Sequence, residues 1–388
     1  MKRRKKKKKN RFIVVMSFLL ITICILSYFG VKYIMYKDSS NTSSPLVASN
    51  ENSTDNTSKQ SNNYTAAYDN KPNNAANSEI SVLISAIGDC TIGTDIKFNK
   101  SVSLPAFVEK NHNDPNYLFG NVKSILDKDD LTIANLETTF TTSNSRQDKT
   151  FAFKGDPSLA SSLKSGSIEG VNLSNNHIYD YGTAGFNDTL AALKSNEVNY
   201  FGEGYKWNTF VKGIGIAFLG YQGWSSDKTI ENKIKADIAQ EKAKGNIVIV
   251  SFHWGIEASY SPSSIQTNLA HFSIDNGADL VIGHHPHVIE GIEKYNNKYI
   301  CYSLANFCFG GNSNPSDKDT FIFQTKLYIE NNKISKQEVK AIPCRISSTD
   351  AYNDYKPTPL EGNEKLKLLE KLNKLSMNLD FKITDDFQ

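Results

Sequence analysis

Three of the chain's seven histidines lie within four positions, in the stretch GHHPH that follows the apolar run DLVI. Pro286 disfavours the α conformation at the residue before it, so we expect His285 to be extended. In extended chain, residues two apart point the same way, which would bring His285 and His287 together and direct His284 elsewhere. Imidazole suits divalent transition metals. The spacing predicts a metal site, although a histidine that only packs at a strand end would look the same.

Other polar residues also follow apolar runs along the chain. In open α/β sheets, ligands bind beyond the carboxyl ends of the strands, so the side chains at those ends are the candidates for chemistry. In chain order they are Asp89, Glu137, Asn176, His177 and His253, followed by the histidine cluster. Carboxylates, an amide oxygen and imidazoles form a ligand mixture that a divalent metal accepts. We therefore expect them to gather around a common centre.

The elements that must position these residues can be recognised from the pattern of apolar residues. Short β-branched runs such as ISVLISAIGD and NIVIVSFHWG alternate with helical periods such as GTAGFNDTLAALKSNE, TIENKIKADIAQEKAKG and SIQTNLAHFSIDNGA. This alternation predicts an α/β domain whose sheet is covered on both faces. Near the end of the chain, the sequence predicts a β-hairpin across ENNK and an amphipathic helix within GNEKLKLLEKLNKLSMNL.

The beginning of the chain indicates a membrane anchor. Residues 1–11 form a basic tail, and no charged residue occurs from Phe12 to Val31. About twenty apolar residues are enough to cross a bilayer, and no small-residue cleavage site follows. We predict a single-pass anchor over residues 12–36 with the N-terminus in the cytoplasm and the main domain outside the cell. A basic tail that binds nucleic acid is the less favoured interpretation, because the apolar run adjoins it.

Composition divides the rest of the chain. Residues 37–78 are rich in Ser, Asn and Thr and predict a disordered linker, residues 79–345 the main domain, and residues 346–388 a C-terminal extension with a helix. Residues 1–37 hold eleven of the 44 Lys and Arg residues and no acid, which leaves 33 basic against 41 acidic residues. The outer part therefore has no general attraction for polyanions, and we expect no nucleic-acid partner.

Four cysteines lie beyond the predicted anchor, at positions 90, 301, 308 and 344. An oxidising compartment would permit disulfides between them. Their spacing matches no zinc pattern. Buried thiols are the favoured interpretation.

The motifs GD, NLE, NNHIYDYG, HWGIE, GHHPHV and SLANF, in this order, resemble those of the CapA capsule-synthesis family. That family includes the PgsA-type subunit of poly-γ-glutamate synthesis, and its fold is similar to that of the calcineurin-like metallophosphoesterases. The resemblance covers about residues 80–345. It implies a metallophosphoesterase-like sandwich of β-sheets flanked by helices, here preceded by one N-terminal transmembrane helix.

Carried over position by position, the resemblance implies one or two divalent ions, of Mn, Zn, Fe or Mg. Glu137 would bridge them, and His177 would face the reacting group as an acid or a stabiliser of charge, unless it only shapes its loop. The ligands of one ion would be Asn176, His253 and His285, and those of the other Asp89 and His287.

The chain departs from the phosphoesterase pattern at two positions. Thr91 stands where that pattern has a histidine, and Glu137 stands where it has an aspartate. One ion therefore loses an imidazole ligand, unless Glu257 replaces it; otherwise Glu257 belongs to the rim or partners a histidine. Other candidates for contact with a substrate or a ligand are Asp180, which could instead cap a helix, Ser303 and Asn306.

Two classes of function follow from the resemblance. One is a non-catalytic subunit that holds poly-γ-glutamate or a similar anionic polymer during capsule biosynthesis and export, beside membrane synthase subunits and a cytoplasmic ligase. The other is a metal-dependent hydrolase that cleaves phosphoesters or γ-glutamyl amides at the cell surface. A surface adhesin or lytic domain that kept an old fold is a third interpretation.

Overall fold

Strands and helices alternate along residues 80–388, the part of the chain that the computed structural model describes. The strands are β1 (Ile80–Thr91), β2 (Thr94–Asp95), β3 (Leu131–Leu136), β4 (Thr139–Phe140), β5 (Phe153–Gly155), β6 (Gly170–Asn172), β7 (Asn199–Phe201), β8 (Trp207–Val211), β9 (Ile214–Gly223), β10 (Ile247–Trp254), β11 (Leu280–His284), β12 (Ile289–Tyr295), β13 (Lys298–Leu304), β14 (Asn306–Phe309), β15 (Asp319–Glu330), β16 (Lys333–Arg345) and β17 (Thr358–Pro359). The helices are α1 (Leu104–Lys110), α2 (Gly120–Leu126), α3 (Ser161–Ser165), α4 (Gly182–Ser195), α5 (Lys228–Ala243), α6 (Ser264–Asp275) and α7 (Gly362–Leu375).

The strands form two large sheets and one small sheet. The eight-stranded sheet has the order β17-β16-β15-β1-β3-β6-β7, with β14 also paired to β1. The six-stranded sheet has the order β12-β13-β11-β10-β9-β8, and β2, β5 and β4 form the small sheet. In both large sheets the central strands that carry the motifs run parallel. The predicted mixed α/β class is therefore confirmed.

Apolar side chains form three layers around the two large sheets. A cluster between the sheets joins residues of β1, such as Val82 and Ile84, to Phe218, Ile249 and Ile282 of the other sheet. Helices α1 to α4 cover the outer face of the eight-stranded sheet, and α5 and α6 cover that of the six-stranded sheet. All residues of β3 and β10 are buried, as expected for strands covered on both faces.

Local interactions explain why the predicted helices and the predicted hairpin form. Ser263 and Gln266 form a capping box at the start of α6, which satisfies backbone N–H groups that would otherwise lack partners. The predicted hairpin is present, since β15 and β16 pair across Asn331 and Asn332. Both asparagines have positive φ values, 51° and 58°, which a tight two-residue hairpin turn requires. Leu368 and Leu372 of α7 pack into the cluster between the sheets.

The predicted anchor, basic tail and linker lie outside the described residues. Within residues 80–388, none of the helices is both long enough and apolar enough to cross a bilayer. The structure therefore describes the main domain, and the anchor stays a prediction from the sequence.

The carboxyl ends of the parallel strands in both sheets meet at one edge of the fold. Asp89 pairs with Asn135 across β1 and β3 in one sheet, and His253 pairs with His284 across β10 and β11 in the other. The side chain of Asn135 contacts both Asp89 and His253 and so joins the two sheets at this edge. The predicted polar residues are positioned here.

Candidate metal centre

Asp89 lies at the bottom of the site and is completely buried. Its Oδ1 accepts a hydrogen bond of 2.8 Å from the Asn135 amide, and its Oδ2 accepts one of 3.1 Å from the backbone N–H of His285. Burial opposes ionisation of Asp89, but the hydrogen bond and the positive charge of His287 hold its pKa below the ordinary value. Asp89 is therefore ionised, and it ties residues 285–287, the histidine loop, to β1.

The histidine loop differs from the expected extended backbone. His285 has a φ of 98° and His287 a φ of 59°, so both residues adopt the left-handed region that L residues avoid. The preference imposed by Pro286 is overridden because the loop is fixed on both sides, with the N–H of His285 on Asp89 and the Pro286 carbonyl accepting from Ala258. Strain of this kind is typical of functional loops.

The two histidines nevertheless converge, as the sequence indicated. The ring centroids of His285 and His287 are 5.6 Å apart, and those of His285 and His253 are 4.7 Å apart. His284 does not point away from the site as expected, because its Nδ1 lies 3.5 Å from Asp89 Oδ1. Burial lowers the pKa of His284 to about 4, so a neutral imidazole packs against Asp89.

The potential ligand atoms form three overlapping groups within residues 80–388. In each group the atoms lie within 4.8 Å of one another. Glu137 belongs to two of these groups. The groups are Glu137 with His253 and His285, Asp89 with Glu137 and His287, and Glu257 with His285 and His287.

Unpartnered buried atoms show that these residues fit a divalent cation. Oε1 of Glu137 and Nδ1 of His285 are buried and make no hydrogen bond among the described residues. Such atoms are rare in folded proteins, because each costs the free energy of its lost hydration. Burial and the repulsion from Asp89 raise the pKa of Glu137 to about 8. A cation would satisfy these atoms, and oxygen and imidazole nitrogen are suitable donors for one.

Asn176 and His253 face each other across the site. The Nε2 atom of His253 lies 2.8 Å from Oδ1 of Asn176, and its Nδ1 lies 3.2 Å from the amide nitrogen of Asn135. Burial and the neighbouring histidines hold the pKa of His253 well below its ordinary value. His253 is therefore neutral, the form in which imidazole coordinates metals.

Thr91 replaces the histidine of the phosphoesterase pattern with a hydroxyl group. It is completely buried, and its Oγ1 donates a hydrogen bond of 3.4 Å to Oε2 of Glu137. This contact leaves Oε1, the unpartnered oxygen of Glu137, facing His253 at 3.5 Å from its Nε2. Thr91 thus orients the shared carboxylate and supplies no imidazole.

His177 is oriented by a buried carboxylate. Its Nδ1 donates to Oδ2 of Asp180 over 2.7 Å, which leaves the lone pair of Nε2 free to take a proton. Asp180 caps no helix, since α4 begins at Gly182 and Tyr181, at its N-cap position, makes no side-chain capping bond. The interpretation of Asp180 as a helix cap is therefore wrong, because its carboxylate is occupied by His177.

Lys149 completes this arrangement, although the sequence analysis did not select it as a site residue. Its Nζ lies 2.7 Å from Oδ1 of Asp180 and 2.8 Å from the carbonyl oxygen of Asn176. One ammonium group therefore fixes both the partner of His177 and the backbone beside it. Nothing in the local sequence TSNSRQDKT indicates this, because the lysine is far from these residues in the chain.

Replacing Lys149 by methionine is expected to lower the free energy of unfolding by roughly 1 to 3 kcal/mol, since the buried Asp180 would lose a charged donor. Urea unfolding of the full chain measures the change. The matched control is Lys164→Met, whose pair with Glu197 is exposed and should contribute less than about 1 kcal/mol. Equal effects of the two substitutions would contradict a special role for Lys149.

The remaining candidates have distinct positions. Asn306 holds the ring of His287, because Nδ1 of the histidine lies 2.9 Å from Oδ1 of Asn306, which leaves Nε2 free. Ser303 is buried and donates to the carbonyl oxygen of Val288, so it shapes the loop after the histidines instead of facing a ligand. Glu257 is exposed at the rim, within reach of His285 and His287.

The two tryptophans near strand ends have different roles. Trp224 is 45% exposed and presents its edge to the rings of His285 and His253, at centroid distances of 4.8 Å and 5.7 Å. Trp254 is buried, and its indole N–H donates to the carbonyl oxygen of Tyr302. Trp224 therefore forms a wall of the site, whereas Trp254 belongs to the core.

Asn135 is the other important residue that the sequence analysis did not select. It touches Asp89 and His253, while its Oδ1 accepts from the amides of Asn172 and Asn175. A signal was available, because a polar residue inside the apolar run LTIANL must find buried partners.

The four cysteines of the described residues are buried free thiols, as favoured from the sequence. Burial raises the pKa of Cys90 and Cys301 well above the ordinary value. They are therefore unreactive residues of the core.

Residues 83–311 match the family described as bacterial capsule synthesis protein PGA_cap. The chain belongs to this family. The match spans more than half of the chain and contains every residue of the candidate metal centre. The resemblance inferred from the motifs is therefore confirmed.

Curated relatives carry names of the same kind. The chain is 33% identical over 214 residues to the PGA biosynthesis protein CapA of Bacillus subtilis, across 50% of this chain and 56% of that protein. It is 30% identical to the capsule biosynthesis protein CapA of Bacillus anthracis, across 50% of this chain and 54% of that protein. A probable polyglutamine synthesis accessory protein of Mycobacterium tuberculosis is 27% identical, across 46% and 55%. The matches thus span about half the length of each relative.

Two solved structures are only distantly similar to the structure of this chain. The protein TT1561 of Thermus thermophilus has a TM-score of 0.37 and 11% identity, over 68% of this chain and 99% of that one. The purple acid phosphatase PPD1 of yellow lupin has a TM-score of 0.33 and 8% identity, over 73% of this chain and 54% of that one. Scores this low do not establish a shared fold.

Proposed function

We propose that this family member is anchored in the cell membrane by residues 12–36, holds its main domain outside the cell, and takes part in poly-γ-glutamate or capsule-polymer biosynthesis and export. A divalent-metal centre would hold carboxylates of the polymer. Family membership supports the connection to capsule synthesis. Membrane synthase subunits and a cytoplasmic ligase would be its partners.

One observation carries the metal part of the proposal, namely the buried and unpartnered Oε1 of Glu137 beside the neutral imidazoles of His253 and His285. A bound divalent ion would supply Lewis acidity there and neutralise anionic oxygens. Carboxylates of a polyglutamate chain are suitable ligands for the same hard or borderline ions. The metal centre would therefore bind the polymer by coordination alone, without catalysing a reaction.

The arrangement of His177 favours a second candidate, a phosphoesterase or γ-glutamyl amide hydrolase that acts on cell-surface substrates. Asp180 fixes the ring through Nδ1, so the lone pair of Nε2 can take a proton from an attacking water and pass that proton to the leaving group. The histidine is buried, which together with Lys149 lowers its pKa, although the hydrogen bond to Asp180 opposes this. A histidine that only shapes a loop would not need a free ring nitrogen.

A direct experiment separates the two functions. The full chain is purified in mild detergent, its metal content is measured by elemental analysis, and hydrolysis of a phosphodiester and of a γ-linked glutamate oligomer is assayed beside His177→Gln. Bound metal and bound oligomer without turnover would support the binding role. Turnover that the substitution abolishes while metal remains would support the hydrolase. A chain that holds neither metal nor oligomer would refute both.

Metal affinity is expected to rise steeply with pH between about 6 and 9. Burial and Asp89 raise the pKa of Glu137 to about 8, and the nearby Glu137 and Asp89 raise that of His287 to about 9 against the effect of burial. Because the charged forms of Glu137 and His287 favour each other, the pair holds at least one proton in the metal-free chain and must release it when both side chains coordinate. The affinity should therefore increase by up to about tenfold per pH unit in this range.

Calorimetric titration of Mn²⁺ at about pH 6, 7 and 8 tests this prediction. Burial lowers the pKa of His285 to about 4, so this histidine adds no dependence in that range. An affinity that stays constant across the three pH values would contradict the assignment of Glu137 and His287.

A further inference from the structure

A groove of about 440 Å³ lies beside the metal centre, and none of the residues assigned to the centre lines it. Its volume is within the range of ligand sites in proteins. Side chains of three kinds line it, a cation, aromatic rings and amides or hydroxyls. They include Lys97, Phe98, Asn99, Phe151, Asn312 and Ser313.

The groove and the metal centre are separated by one layer of aromatic rings. Phe153 packs on His177 at a centroid distance of 4.5 Å, and Phe309 packs on His287 at 5.4 Å. Gly311 of the groove lies against both rings, since a methyl group added to it would come within 3.2 Å of Phe153 and 2.6 Å of Phe309. The groove therefore lies one ring layer away from His177 and His287.

Lys97 gives the groove a positive charge in an acidic domain. Residues 80–388 hold 31 lysines and arginines against 36 acids, yet Lys97 is the charged residue of the groove lining and no carboxylate lines it. Carbonyl oxygens of Lys149 and Thr150 hold its Nζ at 3.4 Å and 3.3 Å, and it forms no ion pair within the described part of the chain. Its charge is therefore available to an anion.

Aromatic side chains complement this charge with apolar surface. Phe151 is 49% exposed, and its ring stacks near that of Phe153 at an interplanar angle of 5°. Phe98 lies 6.0 Å from Phe151, so the two rings form a continuous apolar wall. An exposed wall of this kind indicates a binding surface when a cation and amides border it.

We propose that this groove binds an extended segment of the carboxylate-bearing polymer while the metal centre holds a neighbouring part of it. This inference rests on the proposed function and names the surface that the function would use. A γ-linked glutamate chain has a carboxylate for Lys97, methylene groups for Phe98 and Phe151, and backbone amides for Asn99 and Asn312. The polymer therefore matches all three kinds of lining.

The test uses the full chain in detergent and a fluorescent γ-linked glutamate decamer, with affinity measured by anisotropy. Lys97→Glu should weaken binding at least about tenfold, because an attraction becomes a repulsion, whereas Lys97→Arg should stay within about threefold. Phe151→Ala should weaken binding about threefold to tenfold. The matched control is Lys235→Glu on the exposed side of α5, which should bind as the unmodified chain does.

Salt and a neutral probe provide a second readout. Binding by the unmodified chain should weaken as salt rises, and the Lys97→Glu variant should lose part of that dependence. A decamer of γ-linked glutamine should bind at least about tenfold more weakly than the acidic decamer. Equal binding of the two decamers would refute the charge match.

The outcomes separate this inference from the proposed function. If the unmodified chain binds the acidic decamer and Lys97→Glu and Phe151→Ala bind it equally well, the groove assignment is wrong while polymer binding stands. If the unmodified chain does not bind the decamer at all, the polymer-binding function is refuted, and the groove assignment with it. Metal content should be the same in all variants, because none of the changed residues belongs to the metal centre.

Discussion

An alanine double variant at His253 and His285 is expected to lose its divalent metal, with an affinity at least about a hundredfold below that of the unmodified chain. The two imidazoles and the unpartnered Oε1 of Glu137 form one group of three potential ligands, so the variant loses two of the three. Elemental analysis after dialysis against trace metal measures the loss.

The control for this variant is His112→Asn. His112 lies in an exposed turn at a φ of 59°, which asparagine tolerates, and it belongs to none of the three ligand groups. Metal content should stay unchanged in the control. If the double variant folds and still retains metal as the control does, His253 and His285 are not ligands.

Replacing Glu137 by glutamine is expected to stabilise the metal-free chain at high pH while it removes metal binding. Burial and Asp89 raise the pKa of Glu137 from 4.5 to about 8. The unfolded chain therefore loses this proton near pH 4.5, whereas the folded chain keeps it up to pH 8. The wild-type carboxylate thus costs stability progressively between these values, and glutamine does not ionise.

At about pH 9 the gain in the free energy of unfolding should be on the order of 5 kcal/mol, and near pH 4 it should vanish. Urea unfolding in the presence of a chelator at both pH values measures it. A variant that is equally destabilised at both pH values would show that Glu137 is a structural residue. A gain that grows with pH would mean that the carboxylate is kept for function at the expense of stability.

The sequence predicted that the candidate ligands lie close together, because each stands at the end of a buried parallel strand. Asp89, Glu137 and His253 lie at strand ends, where the sheet topology alone brings them to one edge. Helices α5 and α6 could also be predicted from the sequence, because each begins at a local N-cap residue, Asp227 or Ser263. The local sequence signals of these strands and helices therefore agree with their positions in the layered fold.

The sequence failed where contacts between distant segments determine the geometry. The backbone of His285 is set by Asp89, 196 residues away in the chain, and not by the neighbouring proline. The partner of Asp180 is Lys149, which lies on a loop without periodicity. The small sheet of β2, β4 and β5 was not predicted either, because its strands have only two or three residues. Segments this short carry no measurable pattern.

Anomalous X-ray scattering from crystals of the manganese-loaded chain tests the central claim most directly. The account predicts a peak about 2.0 to 2.4 Å from side-chain atoms of Glu137, His253 and His285, in the space that their buried atoms already surround. A saturated, folded chain with no peak among these three residues, or with the ion bound elsewhere, would contradict it.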